Sequence, residues 1–183
     1  MPRPMCQSAQ FDAWLAEHLM ILYKVAYRLI GDAHEAEDVV QETFRSAWAS
    51  RARYDGSRSE RAWLLTILRR RAADHWRRQE RRQPVASADL PHPATRPDDP
   101  FQDELSGTMQ HALDRLPRDL RETLLLVVVG ELTHQEAAEL LGIPLGTVLS
   151  RVSRARCRLR EYLVEARPAA ARLAEDGKAV HHG

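Results

Sequence analysis

The chain is poor in lysine. Only Lys24 and Lys178 are present, so nearly all of its positive charge is arginine. Arginine carries a planar fork of donors suited to phosphates and base edges, whereas lysine is a point charge. Cys6 and Cys157 are too few and too far apart for a disulfide framework or a zinc site. Glycine is sparse, and no glycine-rich loop of the phosphate-cradling kind occurs. Strand-type alternation is missing, which argues against a β fold. No apolar run approaches membrane-spanning length, and the N-terminus has no apolar signal core. The histidines are scattered, with His181-His182 near one end, and no Ser/His/Asp arrangement stands out. A mostly helical, cytoplasmic protein is expected, without membrane insertion, catalytic centre, cofactor or metal.

What is present is charge segregated along the chain. The formal net charge is only +1, so the whole molecule is not a general polyanion binder. The most organised stretch is 116–162. Thr133 and Glu136 have capping-box spacing, so a helix should start at His134. Ala137, Ala138, Leu140 and Leu141 form its small apolar side. Gly142 can take the left-handed conformation that ends it, and Pro144 prevents continuation. A second helix then starts near Leu145 or Gly146. Val148, Val152, Ala155 and Leu159 repeat at helical steps and should face inward. Thr147, Ser150, Arg151, Arg154 and Arg158 repeat on another face. Such a face suits the major groove, where arginine reaches guanine or phosphate. A solvated helix in a bundle is the bland alternative.

Taken from the start, residues 1–10 read as a disordered lead. A helix is predicted over 11–30, with Phe11, Trp14, Leu15, Leu19, Leu22, Ala26 and Leu29 inward and Gly31 as its stop. Asp32, with Glu35 three residues on, caps a helix over 33–49. Val40, Phe44, Ala47 and Trp48 should face its core. Asp38, Gln41, Glu42 and Arg45 share the opposite face. The loop 51–60 mixes arginine and hydroxyls with one aromatic, Tyr54, a composition able to hold an unstacked base. A helix over 61–82 buries Trp63, Leu64, Ile67, Leu68 and Ala72. Its second half is densely basic, with Arg69, Arg70, Arg71, Arg77, Arg78, Arg81 and Arg82. Like charges at helical spacing repel, so an anionic partner is the natural expectation. The segment 83–105 holds five prolines and several acids, and reads as a flexible linker. Pro117 suits the first turn of the next helix, and 124–129 reads as part of a buried helix. The segment 165–183 is expected to be a disordered tail.

This arrangement resembles the extracytoplasmic-function group of bacterial sigma factors, over about 11–163. Arg28-Leu-Ile-Gly-Asp-Ala-His-Glu-Ala-Glu-Asp-Val-Val-Gln-Glu-Thr-Phe-Arg-Ser-Ala-Trp48 is similar to the family's polymerase-binding helix. Arg61-Ala-Trp-Leu-Leu-Thr-Ile-Leu-Arg-Arg-Arg-Ala-Ala-Asp-His-Trp76 resembles its promoter-melting and minus-ten-binding segment. The stretch 116–156 resembles its C-terminal helix-turn-helix. The resemblance implies an all-α fold with two small helical domains. These are a region 2 type bundle at 11–82 and a region 4 type helix-turn-helix at 106–164, joined by the linker.

Roles follow from the resemblance by position. Asp38, Gln41, Glu42 and Arg45 would contact the clamp helices of the largest subunit of core RNA polymerase, and the polymerase flap would be a further contact. Tyr54, Asp55, Ser57 and Arg58 would capture a flipped minus-ten base, and Arg61 would also bind the minus-ten element. Arg69, Arg70, Arg77 and Arg78 would hold the duplex edge. Thr147, Ser150, Arg151, Ser153, Arg154 and Arg158 would read the minus-thirty-five element. The linker would thread the polymerase interior. Many relatives are held inactive by an anti-sigma protein, and such a partner is left open. Leu149 stands where the family often has lysine or arginine, which puts a family-typical minus-thirty-five sequence in question. Two other readings are a stand-alone helix-turn-helix regulator, which leaves 11–82 without a role, and a helical adaptor, which the basic helix argues against.

Overall fold

The computed structural model describes the backbone of residues 8–82 and 104–179, and the side chains of 11–79, 81 and 107–166. Most of the expected lead and linker, and the pair His181-His182, lie outside the described residues. All described regular structure is helical. The helices are α1 (Ser8–Ile30), α2 (Ala33–Ser50), α3 (Glu60–Arg82), α4 (Glu104–Asp114), α5 (Arg118–Val128), α6 (His134–Leu141) and α7 (Leu145–Ala179), with a single 3-10 turn at Arg51–Arg53.

Local chemistry sets the boundaries. Gly31 has a φ of 80° and donates its N–H to the Tyr27 carbonyl at 2.7 Å, closing α1. The Asp32 carboxylate then accepts the Glu35 N–H at 3.1 Å and opens α2. Pro117 occupies the cap position just before α5 rather than its first turn. The predicted box at α6 is complete, with Thr133 Oγ1 accepting the Glu136 N–H and Glu136 accepting the Thr133 N–H. Gly142 ends α6 at φ 67°.

The apolar stripe of α1 differs from expectation at its edges. Phe11, Trp14, Leu22, Ala26 and Leu29 are buried, but Leu15 and Leu19 are 37 % and 42 % exposed. Both sit one position off the line 11-14-18-22-25-29 that α2 and α3 cover, and His18 and Val25 take the inward places. Trp48 is also exposed rather than core. It lies at the end of α2, against Phe11 and beneath the Arg51 guanidinium 3.8 Å away. In α3, Leu64, Leu68 and Ala72 are buried as predicted, joined by Leu65, while Trp63 and Ile67 are half-buried. In 124–129, Leu124, Leu125 and Leu126 are buried and Val128 is exposed.

The last helix also runs further than expected. It continues to Ala179, through the segment read as a disordered tail. Alanine at 166, 169–171, 174 and 179 has the highest intrinsic helix propensity and favours this continuation, against the cost of Pro168 and Gly177 within it.

The two halves pack on each other. Helix α5 touches α1, and α6 touches α3. Their buried residues form one continuous apolar cluster. Gly130, between α5 and α6, marks the close approach. A Cβ there would lie 2.6 Å from the Leu126 carbonyl oxygen and 2.9 Å from Leu65 Cδ1 of the other half. The next residue, Glu131, holds a positive φ of 54° and accepts a hydrogen bond from Arg61 at 2.6 Å.

Candidate nucleic-acid interface

Helix α7 divides by face as its period predicted. Val148, Val152 and Ala155 are buried, with Leu159 half-buried behind them. Ser150, Ser153, Arg154 and Arg158 are exposed. Thr147 and Arg151 are half-buried, and Arg151 Nε lies 3.4 Å from an Asp119 oxygen on α5. Arg154 folds back on its own helix, donating to the carbonyl and hydroxyl of Ser150, both at 3.3 Å. These long, exposed bonds are weak and readily exchanged for a base edge or phosphate. Leu149 is 49 % exposed beside them, an apolar group able to meet a thymine methyl.

The loop between α2 and α3 presents fewer groups than its composition suggested. The Tyr54 ring packs against Trp14 and Trp63, with centroids 4.9 and 5.2 Å away. Its hydroxyl donates to the Arg58 carbonyl at 2.9 Å. Asp55 accepts the Ser57 N–H at 2.9 Å, and Gly56 between them has a φ of 74°. This turn leaves the Asp55, Ser57 and Arg58 side chains exposed, with the Tyr54 ring half-buried beneath.

Six arginines of α3 fall into two sets. Arg70, Arg77, Arg78 and Arg81 are exposed, with Arg77 paired to Asp74 one turn earlier. Arg61 and Arg69 instead reach the C-terminal half, where they meet Glu131 and Glu122 at 2.6 and 2.8 Å. Ser59 Oγ donates across the same boundary to Glu136 at 2.8 Å. Burial on its own would raise the Glu136 carboxyl. Hydrogen bonds from the Thr133 N–H, the Ser59 hydroxyl and the Thr133 hydroxyl, together with Arg61, outweigh it and hold the group below the usual carboxylate range. Arg118, unmarked in the sequence reading, stacks on Trp76 at 3.8 Å. It borders a groove of about 390 Å³ together with Arg69, Arg70 and Arg77. The one hint of it was an aromatic residue set within a basic run.

The acidic face of α2 is open. Asp38, Gln41 and Arg45 are exposed and Glu42 is half-buried. Arg45 ties this face together by donating to Glu42 at 2.8 Å and to Gln41 at 3.3 Å. A feature the sequence reading missed lies alongside: Leu19, Met20, Tyr23 and Val40 floor a depression of about 320 Å³ rimmed by Glu37 and Gln41. Its signal was present in Leu19 and Met20, apolar residues just off the buried line of α1. Among the described residues no helix is long and apolar enough to cross a membrane.

A helix-turn-helix with an Arg/Ser face, joined to a bundle carrying one basic and one acidic helix, defines a two-part DNA-binding transcription protein. Residues 14–82 match the family model described as sigma-70 region 2, and residues 106–159 match that described as sigma-70 region 4. The chain is 34 % identical over 160 residues to the ECF RNA polymerase sigma factor SigE of Mycolicibacterium smegmatis, spanning 85 % of this chain and 62 % of that protein. It is 34 % identical over 159 residues to the ECF RNA polymerase sigma factor SigW of Bacillus subtilis, spanning 78 % of this chain and 82 % of that one. Among solved structures it resembles the sigma factor RpoE in complex with the anti-sigma factor NepR from Bartonella quintana. That likeness has a TM-score of 0.68 at 32 % identity, covering 84 % of this chain and 96 % of the other. The chain belongs to the ECF sigma factors.

Proposed function

We propose that this chain is a promoter-specificity subunit that docks on core RNA polymerase, recognises two separated promoter elements and promotes DNA melting between them. Residues 11–82 form the polymerase- and minus-ten-binding domain. Residues 83–105 form the tether, and 106–164 the minus-thirty-five-binding domain. Asp38, Gln41, Glu42 and Arg45 meet the polymerase clamp helices, with the apolar depression beside them adding area. Asp55, Ser57, Arg58, Arg70, Arg77 and Arg78 engage the minus-ten region. Ser150, Ser153, Arg154 and Arg158 read the upstream duplex. Two weak contacts on one chain reinforce each other through effective concentration. Unpaired bases are bound better than paired ones, so binding draws the duplex toward its open form. The protein acts through binding, in the cytoplasm where polymerase and promoter meet.

The observation that carries this reading is the pair of region 2 and region 4 matches on one chain, each bearing exposed basic residues. The packing of the halves adds a second element. Arg61 and Arg69 are engaged by Glu131 and Glu122, so the described arrangement is closed toward DNA at those two positions. Engagement of the full minus-ten set then requires these two arginines to exchange their carboxylate partners for DNA. The likeness to a sigma factor bound by an anti-sigma factor makes a partner of that kind the natural candidate to hold this arrangement.

The test is transcription from a mapped promoter by sigma-free core polymerase, with and without the purified chain. Chain-dependent initiation at one start site is expected. A stand-alone regulator would change output only when another sigma factor is present. No association with core polymerase at low ionic strength would end the proposal, however well the chain binds DNA.

A further inference from the structure

His18 is an unusual occupant of the α1 stripe. It is 3 % exposed, and neither ring nitrogen has a hydrogen-bond partner among the described residues. A neutral imidazole has one donor and one acceptor, and burying both unmatched is costly. The ring borders a cavity of about 270 Å³ between the halves, faced also by Glu17, Glu60, Arg61, Glu131 and Glu136. Arg61 is paired with Glu131, and Glu136 is held by Thr133 and Ser59. That leaves Glu17 and Glu60 facing the imidazole. The nearest approach, His18 Nε2 to Glu60 Oε2, is 3.8 Å, too long for a hydrogen bond. Ligand atoms from Glu17, His18 and Glu60 all lie within 4.8 Å of one another.

We propose that Glu17, His18 and Glu60 form a binding site for a divalent first-row transition ion of the zinc type. Metal–nitrogen and metal–oxygen bonds of about 2.1 Å place two ligand atoms on one ion about 3.0–4.2 Å apart. The His18–Glu60 separation of 3.8 Å falls in that range, and the outer limit of 4.8 Å for the trio requires the exposed Glu17 or the part-exposed Glu60 carboxylate to move inward on binding. Imidazole suits zinc, nickel and iron, and the two carboxylates balance the ion's charge. The cavity leaves room for water in the remaining coordination positions. Glu60 opens α3 and His18 lies mid-α1, so the ion ties these helices together next to Ser59 at the end of the loop. It also offsets the negative charge of the carboxylates that face Glu131 and Glu136 of the other half. The spacing along the sequence hides the group, because the histidine and one carboxylate come from different helices.

The test uses the full chain with Zn²⁺, by competition against a chromophoric chelator, and with Co²⁺, by visible absorption. One ion per chain is expected, together with a rise in the melting temperature. His18→Ala should abolish both effects. Glu60→Gln keeps a hydrogen-bonding side chain at a part-exposed position and should weaken binding by at least about tenfold. A chain with His181→Ala and His182→Ala should bind like the unmodified protein, which excludes the terminal histidines as the site. Absence of binding by the unmodified chain overturns the assignment. Equal binding by Glu60→Gln, or loss confined to the 181–182 variant, overturns it as well.

Discussion

The Arg69–Glu122 pair offers a direct measure of how firmly the halves hold each other. Arg69 Nε donates to Glu122 Oε1 at 2.8 Å, with Glu122 14 % and Arg69 38 % exposed. A fully exposed pair contributes about 0.2–1 kcal/mol. A hydrogen bond to a charged group contributes about 1.5–3 kcal/mol. The carboxylate is nearly buried and the guanidinium is not, so a coupling of about 1–2 kcal/mol is expected between those limits. The experiment is a double-mutant cycle with Glu122→Gln, Arg69→Gln and both, read by thermal unfolding of the full chain. At this chain length each kcal/mol moves the melting temperature by about 2–4 °C. A second readout comes from DNA. Glu122→Gln leaves Asp119 as the carboxylate on the groove beside Arg69, Arg70, Arg77 and Arg118. The free chain should then gain affinity for non-specific duplex, and its salt slope should steepen by about 0.9 for the released arginine. Additivity within about 0.5 kcal/mol, with an unchanged salt slope, would refute the idea that this pair closes the two halves together.

Three other outcomes are expected. Arg154→Ala should weaken binding to the upstream duplex by about 1–3 kcal/mol if the side chain leaves Ser150 for a base edge, with polymerase association unchanged in a pull-down. Asp38→Arg combined with Glu42→Arg should weaken association with core polymerase while duplex binding persists; the opposite pattern would invert the roles given to α2 and α7. The Glu136 carboxyl lies below its ordinary range when folded, so its contribution is complete above the unfolded carboxylate range and is lost as pH falls through the lowered folded value. Glu136→Gln should therefore lower the melting temperature at neutral pH, and the difference should vanish in strong acid. A difference that persists there would mean the side chain acts through shape rather than charge.

Some features of this protein were legible in its sequence because they are decided within four residues. The Asp32 cap, the Thr133–Glu136 box and the left-handed Gly142 each satisfy backbone groups that lie next to them in the chain. The split of α7 into a buried Val148–Val152–Ala155 side and an exposed Ser150–Arg154–Arg158 side follows from helical period alone. The closeness of the region 2 and region 4 motifs to the family pattern carried the assignment of class.

Other features needed the chain to close on itself. Leu15, Leu19 and Trp48 are as apolar as their buried neighbours, and which of these residues are covered is decided by where α1, α2 and α3 touch. Tyr54 has the composition of a base-stacking residue, yet Trp14 and Trp63 take up its ring. Arg61 and Arg69 read like their neighbours in the basic helix, but their carboxylate partners stand 70 and 53 positions away. The grouping of Glu17 and His18 with Glu60 likewise depends on α1 lying against α3. Period and capping act along one helix and can be read from it. Which face meets which neighbour depends on the crossing of helices distant in sequence, and that is a property of the packed molecule.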